Sequence, residues 1–369
     1  MKRTISIRLE TTEDQHEKLL RLQEAFLVAC NDIVPSVVEH RCWNRVALHN
    51  LTYSKIRATS SLGSQMVCNA IFAVCKAYKN KTIIKEETVP VVRFHKNRSV
   101  HFDKRTYSIR GDTLSLYTLE GRIRTKMHFG PFQQEYFEKG IPKEAELICK
   151  KRRWYFNLVL DLPDPPISEN TQLLAVDLGE NVLAATSTGK IYGGGKIRHV
   201  RDKYLAKRRR LQSNGSQSAK QLLRKISGKE ARRMKQINHE VSKEIVQEAQ
   251  DHKAGLLVLE DLTNIRKRVR GGKRIRTRLH RWAFGQLQTF IQYKAEARGL
   301  QVVYVNPSYS SQICSFCGSL GERVQHHFRC TCGNKQHSDL NASQNLCKFA
   351  LSFGSATCAV NRTQVAALS

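Results

Sequence analysis

The hydrophobic and polar positions follow two successive patterns in the first 165 residues. Residues 3–9 alternate between apolar and polar side chains and predict a β-strand. From about 13 to 80, apolar residues recur at spacings of three and four, which predicts amphipathic helices packed in a small bundle. From about 88 to 162 the period changes to two, which predicts short antiparallel strands. We therefore expect a small β-barrel that includes the N-terminal strand and carries the helices as an insertion.

A different pattern begins near residue 171, after a proline-containing boundary at 163–170. Short buried strands now alternate with helices, and two of the strands end in acidic residues. The predicted elements are strands at 171–177, 255–262 and 300–306, a short meander after the first strand, and helices at about 200–252 and 282–298. This order is typical of an α/β domain.

The charge balance suggests a polyanionic partner. The chain has 62 Lys and Arg against 32 Asp and Glu, a formal charge of +30. Between Arg198 and Arg281 there are 25 basic and 8 acidic residues, so more than half of the excess lies there. The densest segment, 266–282, contains two glycines and is expected to be a loop. A solvated basic face is the alternative, but this density favours contact with nucleic-acid phosphates.

The apolar runs are too short to span a membrane, and the N-terminal residues do not resemble a signal peptide. Four of the eleven cysteines fall within nineteen residues, whereas a disulfide scaffold would spread them along the chain. We therefore expect a cytoplasmic protein, associated with the nucleoid if bacterial, that contains one metal-binding cysteine cluster.

Three carboxylates stand at the ends of predicted elements. Asp177 closes the first strand of the α/β domain, Glu260 closes the next, and Asp339 begins the last predicted helix. Taken singly, they could serve as a turn residue, an arginine partner and a helix cap. Taken together in a basic α/β chain, they favour a metal centre. Asp261 faces the opposite side of an extended strand and is not expected to join them.

A nuclease centre would explain these acids. The anionic backbone of a phosphodiester repels an anionic nucleophile. Two divalent ions about 3.5–4 Å apart overcome this, since one generates hydroxide and the other stabilises the leaving oxygen. Such ions need several carboxylates on rigid elements, and Mg2+ prefers oxygen ligands. Asp177, Glu260 and Asp339 are therefore the predicted ligands of two Mg2+ ions.

The clustered cysteines form two closely spaced pairs, CSFC and CTC, separated by twelve residues. Gly318 and Gly333 follow the pairs and permit tight turns. Four thiolates with no position left for water indicate one structural Zn2+; an iron–sulfur cluster or merely packed thiols are the alternatives. The predicted zinc ligands are Cys314, Cys317, Cys330 and Cys332. The histidines that could replace one of them are His326, His327 and His337.

These motifs resemble those of the TnpB family. The resemblance lies in VDLG around Asp177, LVLEDL around Glu260, and CSFCG…FRCTCG leading into SDLNASQN around Asp339. It covers about 171–347. TnpB proteins are transposon-encoded RNA-guided DNA endonucleases related to the type V CRISPR effectors. The chain departs from the family pattern at His337, where an acid is common, and at Ser338, where a basic residue is common.

The resemblance implies a multidomain α/β plus β-barrel fold, with an RNase H-like (RuvC) nuclease domain whose metal-binding acids are the three named above. The implied domains are a β-barrel wedge domain at 1–12 and 82–165, a helical recognition domain at 13–81, a RuvC-like nuclease domain at 171–313 and 336–347, an inserted zinc ribbon at 314–335, and a C-terminal tail at 348–369. The tail is expected to be loosely ordered.

The resemblance also implies the partners. A guide RNA transcribed from the transposon end would pair with target double-stranded DNA beside a short adjacent motif. The sequence leaves the oligomeric state open, with a monomer favoured. Aromatic residues of the first 165 residues could stack on bases, with core packing as the favoured alternative. The aromatic residues considered are Tyr53, Phe94 and Tyr107. The competing functions are an RNA-guided repressor, a transposase and a junction resolvase.

Overall fold

The computed structural model describes residues 1–79, 83, 88–96, 98–179, 182–193, 195–262 and 284–353. The chain divides into two compact units between Pro163 and Asp164. The predicted basic loop at 266–282 and the residues after 353 lie outside the described residues. Within the described part of the chain, every helix is too short or too polar to cross a membrane.

The first unit is built on one seven-stranded antiparallel sheet. Its strands are β1 (Lys2–Glu10), β2 (Val100–Phe102), β3 (Tyr107–Arg110), β4 (Thr113–Thr118), β5 (Gly121–His128), β6 (Ile141–Lys150) and β7 (Arg153–Asp161). They lie in the order β2-β6-β7-β1-β5-β4-β3. The edge strands β2 and β3 are joined by only four residues, so the sheet is nearly closed. The N-terminal strand lies at its centre, as the sequence predicts.

Three helices, inserted between β1 and β2, pack against this sheet. They are α1 (Glu13–His40), α2 (Arg45–Thr59) and α3 (Ser64–Lys79). Thr12 begins α1 with a capping box, and Asn44 caps the first turn of α2. Their apolar faces share one core with the inward side of the sheet. There the indole N–H of buried Trp154 donates to His16 Nδ1 at 2.9 Å, linking β7 to α1.

Two aromatic residues considered for base stacking belong to this core. Phe94 and Tyr107 are buried, and the Tyr107 hydroxyl donates to Lys143 O at 2.6 Å. Tyr53 is half-buried and stacks on His49 with ring centroids 4.6 Å apart. Core packing is therefore the correct interpretation for Phe94 and Tyr107.

The second unit contains a five-stranded mixed sheet. Its strands are β8 (Leu173–Asp177), β9 (Ala184–Thr186), β10 (Ile191–Tyr192), β11 (Leu256–Glu260) and β12 (Gln301–Val305). They lie in the order β10-β9-β8-β11-β12, with β8, β11 and β12 parallel and the β8–β9–β10 meander antiparallel. The predicted meander and the two later strands are confirmed.

Helices cover both faces of this sheet. The helices of the second unit are α5 (Gly195–Asn214), α6 (Gln217–Asp251), α7 (Phe284–Glu296) and α8 (Ser338–Phe353). Helix α4 (Pro131–Lys139) belongs to the first unit. Leu174 and Leu257 share a core with α6 and α7, whereas Ala175 and Val258 pack with α8 on the other face. Because α8 continues through Phe353, the expectation of a loose tail from 348 is wrong for its first six residues.

A small three-stranded antiparallel sheet precedes α8. It consists of β13 (Glu322–Val324), β14 (His327–Arg329) and β15 (Lys335–His337), in that order. The fully buried Phe328 lies in its central strand. The last strand passes directly into α8, since His337 ends β15 and Ser338 begins the helix.

Candidate active site

Strand register brings the first two predicted acids side by side. Leu259 pairs with Val176 in the parallel β8–β11 ladder, so Glu260 and Asp177 occupy the next position at the carboxyl ends of both strands. Side chains alternate between the faces of a strand. The side chains of Asp177 and Ala175 therefore lie on the same face of the sheet, as do those of Glu260 and Val258. This is the face that α8 covers. By the same alternation Asp261 belongs to the opposite face.

The third acid reaches this point from the helix. Asp339 lies in the first turn of α8 and is buried. Its Oδ2 lies 3.8 Å from the position that a Cβ on Gly179 would occupy, so it approaches the chain just beyond β8. The same Cβ would lie 2.6 Å from Val182 O, which leaves room for glycine alone. The structure thus brings Asp177, Glu260 and Asp339 together at one edge of the sheet.

The three carboxylates disfavour one another's ionisation. Burial, together with the charge of Asp339, raises the pKa of Asp177 to about 6, although a hydrogen bond from Glu260 opposes this. Burial, followed by the charge of Asp177 and that hydrogen bond, raises the pKa of Glu260 well above its usual value. The two carboxyl groups thus share a hydrogen bond in which one of them holds a proton. Such a cluster is suited to divalent cations, whose charge would allow all three groups to ionise.

An arginine that the sequence analysis did not single out also contacts the cluster. Arg323 of β13 donates from a terminal guanidinium nitrogen to Asp339 Oδ1 at 3.1 Å, and from Nε to Gln325 O at 3.2 Å. The Ser338 hydroxyl donates to the same Oδ1 at 3.2 Å. The chain has 62 basic residues, and nothing in the sequence distinguishes Arg323 from the others. Its contact with Asp339 is seen only in the folded structure.

The four cysteines converge beside the small sheet, in the segments that flank its strands. Their sulfur atoms all lie within 4.8 Å of one another, with Cys314 Sγ 3.7 Å from Cys332 Sγ and Cys317 Sγ 3.5 Å from Cys330 Sγ. Gly318 and Gly333 adopt left-handed φ angles of 80° and 91° in the turns after the pairs. The group can hold a zinc ion.

The surroundings of Cys314 favour its thiolate. Burial by itself raises the pKa of this thiol. Donors from the backbone of Cys317, the Asn334 side chain and the backbone of Phe316 outweigh it and lower the pKa to about 6. The amide of Asn334 lies 3.2 Å from the sulfur. A thiolate is the form that binds a metal ion.

Buried amides of α8 fasten the segment that precedes this sheet, 310–315, to the helix. Asn341 accepts from the Ser315 N–H at 2.8 Å and donates to Ile313 O at 2.7 Å. Asn345, one helical turn later, donates to Ile313 O and to Ser310 O. Two asparagines four residues apart on one helix face are the sequence signal for these contacts. Asparagine is not ionisable, so the prediction of metal ligands did not include them.

Two of the three histidines considered as alternative zinc ligands lie elsewhere. His326 and His337 cluster with Asp339 rather than with the cysteines. His327 is exposed on β14. The four cysteines thus form a complete set without any histidine.

The basic helices α5 and α6 form an antiparallel hairpin broken at Gly215, where φ is 68°. A cavity of about 870 Å3 lies between them, lined by both apolar and basic residues. Among the lining residues are Lys203, Lys207, Arg210 and Lys229. This hairpin carries much of the positive charge that the sequence places after residue 198.

Comparison with known proteins relates the second unit to two family models. One, described as a probable transposase, matches residues 157–266; the other, the Cas12f1-like TNB domain, matches residues 284–346. The second match spans α7, β12 and the cysteine-bearing sheet.

Two relatives extend the likeness. A TnpB-like protein of Methanocaldococcus jannaschii is 30% identical over 272 residues, covering 68% of this chain and 95% of that protein. The CRISPR-associated endodeoxyribonuclease Cas12f1 of Sulfoacidibacillus thermotolerans is 31% identical over 218 residues, covering 53% of this chain and half of that protein.

A solved structure shares the fold. The Cas12f1 chain in a cryo-EM structure of a Cas12f1–sgRNA–target DNA complex matches with a TM-score of 0.65 at 15% identity. The match covers 91% of this chain and 83% of that one. The predicted fold, an α/β domain preceded by a β-barrel domain with inserted helices, is confirmed by this likeness.

Proposed function

Because the chain belongs to the TnpB family, we propose that it is an RNA-guided DNA endonuclease encoded by an insertion-sequence transposon. A guide RNA would supply sequence recognition by base pairing, and the protein would supply phosphate contacts and the cutting centre. Because RNA and DNA are its proposed partners, the expected place of action is the cytoplasm, at the nucleoid if the chain is bacterial.

The observation that carries this proposal is the convergence of Asp177, Glu260 and Asp339 at one edge of the sheet. Burial and mutual repulsion raise the pKa values of Asp177 and Glu260, so the single charge of Arg323 does not balance three carboxylates. An all-oxygen donor set of this kind fits Mg2+. When bound, two such ions would activate water and stabilise the leaving oxygen of the phosphodiester.

The chain's own residues would prepare this centre. Asp177 and Glu260, fixed by the parallel ladder, would be held on the α8 side of the sheet. Gln288 of α7 donates to Glu260 O at 2.7 Å and steadies the end of β11. Arg323 and Ser338 orient Asp339 through its Oδ1. Arg323 also places a permanent positive charge beside a site that must accept phosphate.

The cysteine cluster would hold one structural Zn2+ through Cys314, Cys317, Cys330 and Cys332. Four sulfur ligands leave no position for a reacting water, which assigns this ion a structural role. Because β15 runs straight into α8, the ribbon would support Asp339 directly.

We propose the following roles for the domains. The nearly closed sheet of the first unit would be the wedge domain, at 1–12 and 82–165, and its inserted helices would be the recognition domain, at 13–81. The second unit would contain the nuclease domain, at 171–313 and 336–347, and the zinc ribbon at 314–335. The basic hairpin of α5 and α6 would contact phosphates of RNA or DNA, adding affinity without reading sequence.

The test begins with RNA that co-purifies with the full-length protein. Sequencing should identify one discrete species, and DNA matching it should be cut in Mg2+ but not in EDTA. Asp177→Ala should abolish cutting and keep RNA and DNA binding. Asp261→Ala, which removes a neighbouring acid on the other face of the strand, is the matched control and should still cut.

The outcomes separate the competing functions. Retained RNA without cutting under any divalent ion would point to a guided repressor. Strand transfer without bound RNA would point to a transposase. Cutting at the wild-type rate by Asp177→Ala would overturn the site assignment.

A further inference from the structure

Two histidine side chains and Asp339 form a second group of potential metal ligands, separate from the cysteines. The ligand atoms of His326, His337 and Asp339 all lie within 4.8 Å of one another. His337 Nδ1 is 4.0 Å from Asp339 Oδ2. Two ligands on one ion, with bonds of about 2.1 Å, are separated by about 3–4 Å. The three side chains are therefore within a small rotation of a common ion.

The backbone holds this group in place. Gln325 and His326 form the two-residue turn between β13 and β14, where Gln325 has a φ of 56°. The Ser338 N–H donates to His326 O at 2.8 Å, which ties the turn to the start of α8. In the β14–β15 ladder His327 pairs with His337, so the turn between β13 and β14 lies beside the end of β15. The result is a fixed arrangement rather than a chance encounter of long side chains.

One ring nitrogen in this group is buried without a partner. His326 Nδ1 is inaccessible to solvent and has no hydrogen bond among the described residues. A buried polar atom without a hydrogen-bond partner destabilises the folded chain. The His326 and His337 rings lie nearly parallel, 13° apart with centroids separated by 5.4 Å. A cation shared by the two imidazoles and Asp339 would supply a partner for one nitrogen of the His326 ring.

Asp339 is oriented for such sharing. Arg323 and Ser338 both donate to its Oδ1, whereas Oδ2 is the atom near His337 Nδ1. The Asp339 N–H also contacts His337 Nδ1, but at 3.3 Å, which is long for a hydrogen bond. That amide belongs to the first turn of α8, where donors commonly lack a helical partner. A metal ion bound through His337 Nδ1 would replace this long contact.

We propose that His326, His337 and Asp339 form a binding site for a divalent first-row transition ion such as Co2+, Mn2+ or Zn2+, distinct from the four-cysteine site. Two imidazole nitrogens and one carboxylate select transition ions over Mg2+, which prefers oxygen. Asp339 belongs to both this site and the three-carboxylate centre. A transition ion bound by Asp339 therefore prevents that carboxylate from binding Mg2+ together with Asp177 and Glu260.

The test measures Co2+ binding by the full-length protein whose cysteine site is already filled with Zn2+. Wild type should take up one further Co2+, with visible d–d absorption and no sulfur-to-cobalt charge transfer. His326→Asn and His337→Asn should each weaken this binding at least tenfold. His327→Asn, an exposed histidine next to His326, is the matched control and should bind like wild type.

Each result decides the proposal. Wild type that takes up no further ion, a thiolate charge-transfer band, or equal binding by all three variants would overturn it. Circular dichroism and zinc content identify a variant that fails to fold, and the other histidine variant then supplies the answer.

A second readout concerns cleavage. Added Co2+ should slow Mg2+-dependent cutting in wild type and His327→Asn, and should do so only at least tenfold higher concentration in His326→Asn. Equal inhibition of all three proteins would refute the sharing of Asp339. Absence of cutting in every protein would count against the nuclease function alone, because Co2+ binding is measured independently.

Discussion

Replacing Asp177 with Asn should stabilise the metal-free protein even though it destroys the proposed centre. Without cations, burial and the nearby charge of Asp339 raise the pKa of Asp177 from 3.8 to about 6. A carboxyl with a raised pKa binds its proton more tightly in the folded chain than in the unfolded one. The free energy of unfolding therefore falls as pH rises through this interval, and stays low above it.

The size of the effect follows from that difference in pKa. At about 1.36 kcal/mol per pKa unit, ionised Asp177 costs at most about 3 kcal/mol at pH 8 and less than about 1 kcal/mol at pH 4. Its partial exposure makes the first figure an upper value, because solvent screens the charges. Asparagine has nearly the same shape and carries no charge, so the variant avoids this cost.

The assay is thermal unfolding in EDTA at the two pH values. At about 2–4 °C per kcal/mol for a unit of this size, the melting temperature of Asp177→Asn should exceed that of wild type by up to about 12 °C at pH 8, and by little at pH 4. Saturating Mg2+ should reverse the order, because wild type binds the ions better. Glu322→Gln, which neutralises an exposed acid of β13, should leave every value unchanged.

Two results would refute this reasoning. If Asp177→Asn melts below wild type in EDTA at pH 8, the three carboxylates do not repel one another as their geometry implies. If Mg2+ stabilises both proteins equally, Asp177 is not one of its ligands.

Three further predictions concern the ribbon and its contacts. Cys314→Ser should lower the zinc content measured by elemental analysis and lower cleavage with it; full zinc occupancy would contradict the proposed ligand set. Arg323→Gln should reduce cleavage at least tenfold at unchanged zinc content, because Asp339 loses its charged partner; a wild-type rate would deny Arg323 any role. Asn341→Leu should lower the free energy of unfolding by about 2–4 kcal/mol in urea, since two buried backbone groups lose their partners; an unchanged urea midpoint would show that these hydrogen bonds do not fasten the ribbon.

The elements with strong periodicity could be predicted from the sequence. Strand β7 alternates buried and half-buried residues from Trp154 to Asp161, and α3 repeats its buried residues every three or four positions. Helix α4 escaped prediction because none of its residues is buried, so no apolar stripe marks it. The extent of α8 was underestimated, because the mixed sequence beyond 347 gives no clear signal for where the helix ends.

The site residues that could be predicted from the sequence are acidic residues at the ends of predicted strands. Asp177 and Glu260 close buried strands, and parallel register then brings them together without further information. Arg323 and His326 were not predictable as neighbours of Asp339. Their positions depend on how one short hairpin folds back onto α8, which is a tertiary contact that no local pattern encodes.

The direct passage from β15 into α8 has a consequence for redesign. With no spacer between His337 and Ser338, any shift of the ribbon strand turns or slides the helix that carries Asp339. A miniaturised version lacking residues 314–335 could not simply splice the remaining ends together. The replacement segment would have to deliver the chain to Ser338 along the same path and supply a new donor for Asn341 Oδ1, which accepts from the N–H of the deleted Ser315.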